Sequence, residues 1–206
     1  MSSLREQHQA QTRELLLDTA SALFARRGYR ATTLNEIAEA SGATTGAVYA
    51  NFANKEDLFI AVLERHMERQ VRFYTTSFDT EGDLPSRARS GADTWVELVR
   101  SEPAYFPLFI EAWRHALEDA RFRKRFVSTS RKLIAAIMDM VTQGSGQQGS
   151  ALDAQTAERV ALVIYALGNG LALQKAVDPG NVPDELFGDA LEAGTSILAQ
   201  LSRPPG

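Results

Sequence analysis

The chain has 206 residues, 44% hydrophobic and 23% charged, enough for a sizeable core in one or two domains. It has no cysteine, which excludes disulfides, thiolate metal sites and cysteine nucleophiles. A net charge of −4 argues against a protein that coats nucleic acid by charge alone.

That charge is uneven: residues 1–55 carry six basic and five acidic side chains, leaving a net −5 for the remainder. An anionic partner would therefore prefer the first part. The opening "MSSLREQHQAQTRELLL" lacks the apolar stretch and small-residue cleavage site of a signal peptide. No uninterrupted apolar run of about 18 residues points to a membrane span. A cytoplasmic protein without membrane contact is the expectation.

Helical periodicity recurs along the chain and no strand pattern competes with it. Leu16, Ala20, Leu23 and Phe24 mark the inner stripe of a first helix. Arg26 and Arg27 suit its negative end, and Gly28 suits a left-handed cap. "TLNE" fits a capping box with Thr33 as N-cap and Glu36 reaching back. Leu34, Ile37 and Ala38 form the inner face of that short second helix. "ASGA" then turns at Gly42, and Thr44 caps a third helix. Asn54 and Asp57 open a fourth, which Leu58, Val62, Met67, Val71 and Tyr74 carry to about residue 77.

"DTEGDLP" breaks the pattern and marks a domain border. Beyond it, Ala88, Ala92, Trp95, Val96 and Val99 mark a fifth helix. Pro103 starts a sixth with Tyr105, Phe106, Phe109, Trp113 and Ala116. A long seventh carries Phe122, Phe126, Leu133, Ile137 and Val141. "GSGQQGS" matches the dinucleotide-loop letters but follows a helix instead of a strand, so it reads as a connector. The last two helices run from about Asp153 to Ala176 and from about Pro183 to Leu201. The final one bears Phe187, Ala190, Leu191, Gly194, Ile197, Leu198 and Leu201 on one stripe. The expected fold is all-α with about nine helices and no internal repeat.

The third helix, within "TTGAVYANF", is built from weak helix formers. A helix this short needs tertiary support, which Val48 and Phe52 can give. Thr44, Thr45, Gly46, Ala47, Tyr49, Ala50 and Asn51 are then free to serve contact. Three short helices with a glycine turn make a helix-turn-helix unit, whose second helix of the pair enters the DNA major groove. Gly46 allows close backbone approach to a phosphate, Tyr49 can donate a hydroxyl to one, and Lys55 supplies a charge at the next helix start. Tyr49 reads equally as a half-buried core ring. Thr33 is first a helix cap and second a phosphate ligand.

These residues resemble the DNA-binding signature of the TetR family of bacterial transcriptional regulators. The resemblance rests on Thr33, Ile37-Ala38, Gly42, Thr44, Gly46, Val48, Tyr49, Phe52, Lys55-Glu56 and Leu58-Phe59, with "ALFARRGYRATT" leading in. It covers residues 11–71, with the helix-turn-helix at about 34–53. Ala50 departs from the larger residue many relatives carry. The resemblance implies a homodimer reading a palindromic double-stranded DNA operator as a repressor. It also implies a ligand-responsive C-terminal helical domain, placed here at residues 84–201.

In that second part, Trp95, Phe109, Trp113, Met138, Tyr165 and Asn169 are candidates for the pocket of a small, largely apolar effector. Ordinary core packing explains the same aromatics. The small residues of the last two helices allow close approach between subunits, so Gly168, Leu171, Ala172, Leu191, Gly194 and Leu198 are dimer-interface candidates. An enzyme is the rival reading from another class. Glu111 and His115 share a helix face, but two ligands do not make a metal site. No nucleophile elbow appears, and no catalytic residue, metal site or cofactor is expected. An architectural DNA protein without effector control is the remaining alternative.

Overall fold

The computed structural model describes residues 4–77, 84–101, 105–146 and 153–201, with side chains within 6–72, 86–101, 105–142 and 153–194. Pro103, residues 79–83 of the "DTEGDLP" break, residues 147–150 of "GSGQQGS" and the side chains of Tyr74, Ile197, Leu198 and Leu201 lie outside the described residues. The fold is all-α. Among the described residues the helices are α1 (Leu4–Arg27), α2 (Leu34–Ser41), α3 (Thr45–Asn51), α4 (Lys55–Ser77), α5 (Leu84–Ser101), α6 (Tyr105–Glu118), α7 (Ala120–Gly146), α8 (Ala154–Val177) and α9 (Leu186–Leu201). The final helix starts a few residues later than its apolar pattern suggests, because Pro183 to Glu185 form a turn before it.

The helices pack into two compact units that do not follow the chain linearly. The first comprises Met1–Met67 with Pro103–Thr129; the second comprises Glu68–Glu102 with Ser130–Gly206. Helices α4 and α7 each run through both.

In the first unit, Leu16, Ala20 and Phe24 of α1 are buried with Ile37, Val48, Leu58, Phe59, Leu108, Ala112 and Phe122. An aromatic chain runs through this core: Phe59 meets Phe24 at 5.1 Å, Tyr29 at 4.7 Å and Phe122 at 5.8 Å. Such ring contacts add specific geometry to area burial. Several of its buried side chains make polar contacts. The Ser21 hydroxyl and His66 Nε2 lie 3.0 Å apart, and Arg65 on α4 pairs with Glu14 at 3.2 Å and Asp18 at 2.8 Å on α1. A charge this enclosed is tolerated because it is paired.

In the second unit, α5 packs along α9, with the Trp95 ring 4.8 Å from Phe187. Arg89 bridges to Asp189 and Glu192 at 2.6 and 2.9 Å, and Arg100 reaches Asp184 at 2.6 Å. Leu133, Ile137 and Met140 of α7 form a core with Ala161 of α8, flanked by Val71, Met138, Ile164 and Tyr165. Helix α8 is long and apolar enough, by length and composition, to cross a membrane. Its apolar run is interrupted by Glu158, Arg159 and Asn169. Most of its apolar stretch is not buried within the chain.

Candidate nucleic-acid interface

Local hydrogen bonding builds the α2–α3 pair. Thr33 and Glu36 form a complete capping box: Glu36 N–H donates to the Thr33 hydroxyl at 3.2 Å, and Thr33 N–H donates to the Glu36 carboxylate at 2.8 Å. That backbone N–H, with the Thr33 hydroxyl and despite slight desolvation, holds Glu36 below the ordinary glutamate range, helped by Arg27 and Lys55. At the other end Gly42 adopts φ 69°, a left-handed conformation that favours glycine, and its N–H reaches the Glu39 carbonyl at 3.1 Å. Ala43 N–H donates to the Ala38 carbonyl at 3.0 Å, so the chain reverses tightly into α3. Thr44 caps that helix by accepting from Ala47 N–H at 3.1 Å.

Val48 is the buried residue of α3, and Phe52 behind it is 4% exposed. The side facing away from these anchors is open. Thr44, Thr45, Gly46 and Ala50 are exposed, Ala47 is half-buried, and the Tyr49 ring is 57% exposed. A Cβ on Gly46 would meet only the Thr44 hydroxyl, at 3.8 Å, so an approaching group finds little in its way there. The Thr45 hydroxyl lies 3.5 Å from Asn35 Oδ1 on α2.

Two candidates are turned toward the protein. Asn51 Nδ2 donates to the Ala47 carbonyl at 2.8 Å, inside its own helix. Lys55 Nζ donates to the carbonyls of Tyr29, Arg30 and Thr32 at 3.0, 3.4 and 3.0 Å and lies 4.5 Å from the Tyr29 ring centre. Burial pushes its pKa below the ordinary lysine value, opposed by Glu111 and Glu36. The ammonium therefore fastens the α1–α2 turn to the start of α4.

Arg13 escaped sequence reasoning. Its Nη1 donates to the Asn51 carbonyl at 3.2 Å, and its guanidinium carbon lies 4.5 Å from the Phe52 ring centre. The partners are far apart in the chain, so no local pattern announces them. Asn35, beside Thr45, was likewise unmarked.

The pocket candidates fall in different units. Phe109 and Trp113 belong to the first, where both rings meet Phe126, at 5.9 and 6.1 Å, and Trp113 is 47% exposed. Trp95, Met138, Tyr165 and Asn169 belong to the second. There Met138 and Tyr165 flank the α7–α8 core, and burial raises the Tyr165 pKa, opposed by the nearby Ser130 and Asn169 side chains. Glu111 pairs with Arg114 at 2.6 Å, while the His115 ring lies tilted against Tyr29 at 5.0 Å and edge-on to Phe122 at 4.4 Å.

The interface candidates also divide. Gly168 is buried within its own unit: a Cβ there would lie 3.4 Å from Phe187 and 3.5 Å from Trp95. Ala172 is buried too, while Leu171 and Leu191 are half-buried. Gly194 is exposed, and Leu198 lies outside the described side chains. The open apolar face of α8 consists of Leu162, Val163, Leu173 and Val177 around Gly170, where an added Cβ meets nothing.

Residues 16–62 match the pattern of bacterial regulatory proteins of the tetR family, and residues 85–199 match the C-terminal domain of BetI-type transcriptional repressors. The transcriptional activator FasR of Mycolicibacterium smegmatis is 25% identical over 74% of this chain and 66% of its own length. The transcriptional repressor ComR of Escherichia coli is 49% identical over 28% of this chain and 27% of its own. The chain thus spans under two thirds of the length of either relative. The solved structure of a Pseudomonas aeruginosa protein has the same fold, with a TM-score of 0.78 at 19% identity, covering 98% of this chain and 96% of that one.

Proposed function

Because the chain belongs to the TetR family of bacterial regulatory proteins, we propose that it is a repressor whose homodimer grips a palindromic DNA operator and lets go when a small, largely apolar molecule binds. The observation that carries the DNA half of this reading is α3 itself: it buries Val48 and leaves Tyr49 and the Thr44–Gly46 edge to solvent. A helix laid in the major groove needs that division between anchor and contact. Thr44, Gly46 and Tyr49, with Thr33 at the start of α2, are suited to phosphates, which set register. Thr45, Ala47 and Ala50 are suited to base edges, which select sequence.

Two recognition helices reach successive major grooves only if two subunits join. The exposed stripe of α8, Val163, Gly170, Leu173 and Val177, offers a partner an apolar face with a small residue at its middle. Helices approach closely over such a residue, and Gly194 on α9 offers a second open position. This favours a second copy over lipid as the occupant.

For the effector, the polar group of Tyr165, Ser130 and Asn169 beside an apolar α7–α8 core has the composition of a small-molecule site. Release requires that the ligand prefer a conformation in which the recognition helices no longer match the groove. A tenfold weaker operator complex takes about 1.4 kcal/mol of coupling. Helix α4, which starts beside α3 and continues into the second unit, is the lever.

The testing experiment selects bound sequences from a random DNA pool. A recovered palindrome supports the proposal, and recovery of no consensus refutes it. Transcription from a promoter carrying that sequence then separates repression from activation.

A further inference from the structure

We infer that Arg13 is a positioning residue that caps the carboxyl end of the recognition helix from outside and so sets how α3 is presented to DNA. The inference rests on the DNA-binding reading above. Helix α3 has seven residues and no basic residue in its last turn. Its final carbonyls need donors from elsewhere. Phe52 N–H takes the Val48 carbonyl at 2.9 Å, and the Asn51 amide takes that of Ala47 at 2.8 Å. The Asn51 carbonyl, at the very end, receives Arg13 Nη1 at 3.2 Å. A cation at this end of a helix also opposes its dipole.

Arg13 is itself well placed to hold a fixed geometry. It sits on α1 just before Leu16 and Leu17, which are 0% and 3% exposed, so its backbone is fixed by the core. Its guanidinium carbon lies 4.5 Å from the centre of the Phe52 ring, the residue that ends α3. A planar guanidinium can stack on a ring and donate in its own plane at once, whereas an ammonium is a point charge without that plane. Val48 and Phe52, one turn apart, fix where α3 lies better than they fix its roll. The directional bond to the Asn51 carbonyl constrains the roll. Base readout depends on that angle, while non-specific attraction to phosphates does not.

The test compares Arg13→Lys and Arg13→Gln with the parent protein. Affinity for the selected operator and for random DNA of equal length is measured across a salt series. Amide hydrogen exchange over residues 45–52 is followed without DNA. The expected result is a roughly tenfold loss on the operator, comparable to one mismatched base pair, with random-DNA affinity and salt slope unchanged. The lysine variant should fail like the glutamine variant despite its charge, and the last amides of α3 should exchange faster in both. Equal losses on both DNAs, a slope shallower by about one unit per half-site and rescue by lysine would make Arg13 a phosphate ligand and overturn the inference. An unchanged ratio of operator to random affinity overturns it as well. A parent protein that prefers no sequence refutes the DNA-binding reading first, before any variant is made.

Discussion

Tyr49 and Lys55 stand on either side of Phe52 and meet opposite surroundings. The tyrosine ring is 57% exposed, so its hydroxyl is free to serve a partner outside the protein. Tyr49→Phe should weaken operator binding by about 1 kcal/mol per half-site and leave the melting temperature unchanged. A fall in melting temperature with unaltered affinity would instead assign the hydroxyl to folding. Lys55 spends its donors on three carbonyls of the α1–α2 turn. Lys55→Met keeps an aliphatic side chain but loses those bonds and the ammonium over the Tyr29 ring, and should destabilise the protein by about 1–2 kcal/mol. Its salt slope for random DNA should match that of the parent; a slope shallower by one unit per half-site would return Lys55 to the phosphates. Neither environment was legible in sequence. On a seven-residue helix Tyr49 adjoins the buried Val48, and periodicity alone leaves its side open. The partners of Lys55 lie in a turn whose path only the folded core decides.

Among the elements, what is local was readable and what is distant was not. The caps at Thr33 and Thr44, the left-handed cap at Gly28 and the turn at Gly42 follow from chemistry within a few residues, and they stand where the pattern put them. The capping box carries a pH consequence. Glu36 has a folded pKa below its ordinary 4.5, so its contribution is present above that value and is lost as pH falls through the lower folded one. Stability of Glu36→Gln should therefore change less than that of the parent as pH falls below 4.5. Denaturant midpoints at pH 7, 4.5 and 3 measure the difference, and parallel curves would remove Glu36 from the acid response. Helix α8 is the contrary case. Small residues at both Gly168 and Gly170 announce a close approach but not which face makes it, since positions two apart lie about 200° around a helix. In the folded chain Gly168 takes the intramolecular contact with Trp95 and Phe187, and Gly170 stays open. The aromatics taken together from the sequence separate in the same way, because composition does not say which rings share a core.

At the scale of the whole molecule, the all-α order was legible from periodicity, while the units were not. Helices α6 and the first part of α7 join the helix-turn-helix unit although they follow α5 in sequence. Assembly is then a matter of the surface left over. Val163, 64% exposed on the open stripe of α8, is the position to charge. Val163→Glu should convert a dimer to monomers that keep their helix content and lose tight operator binding, as read by sedimentation and circular dichroism. A variant that stays dimeric would move the interface away from α8. Operator recognition turns on two exposed α3 helices reaching DNA together. Hydroxyl-radical footprinting of the parent protein on its selected operator tests this most directly. Two protected patches related by a dyad, centred on successive major grooves about 10 base pairs apart, are the predicted result. A single patch, or protection without a dyad, would contradict it.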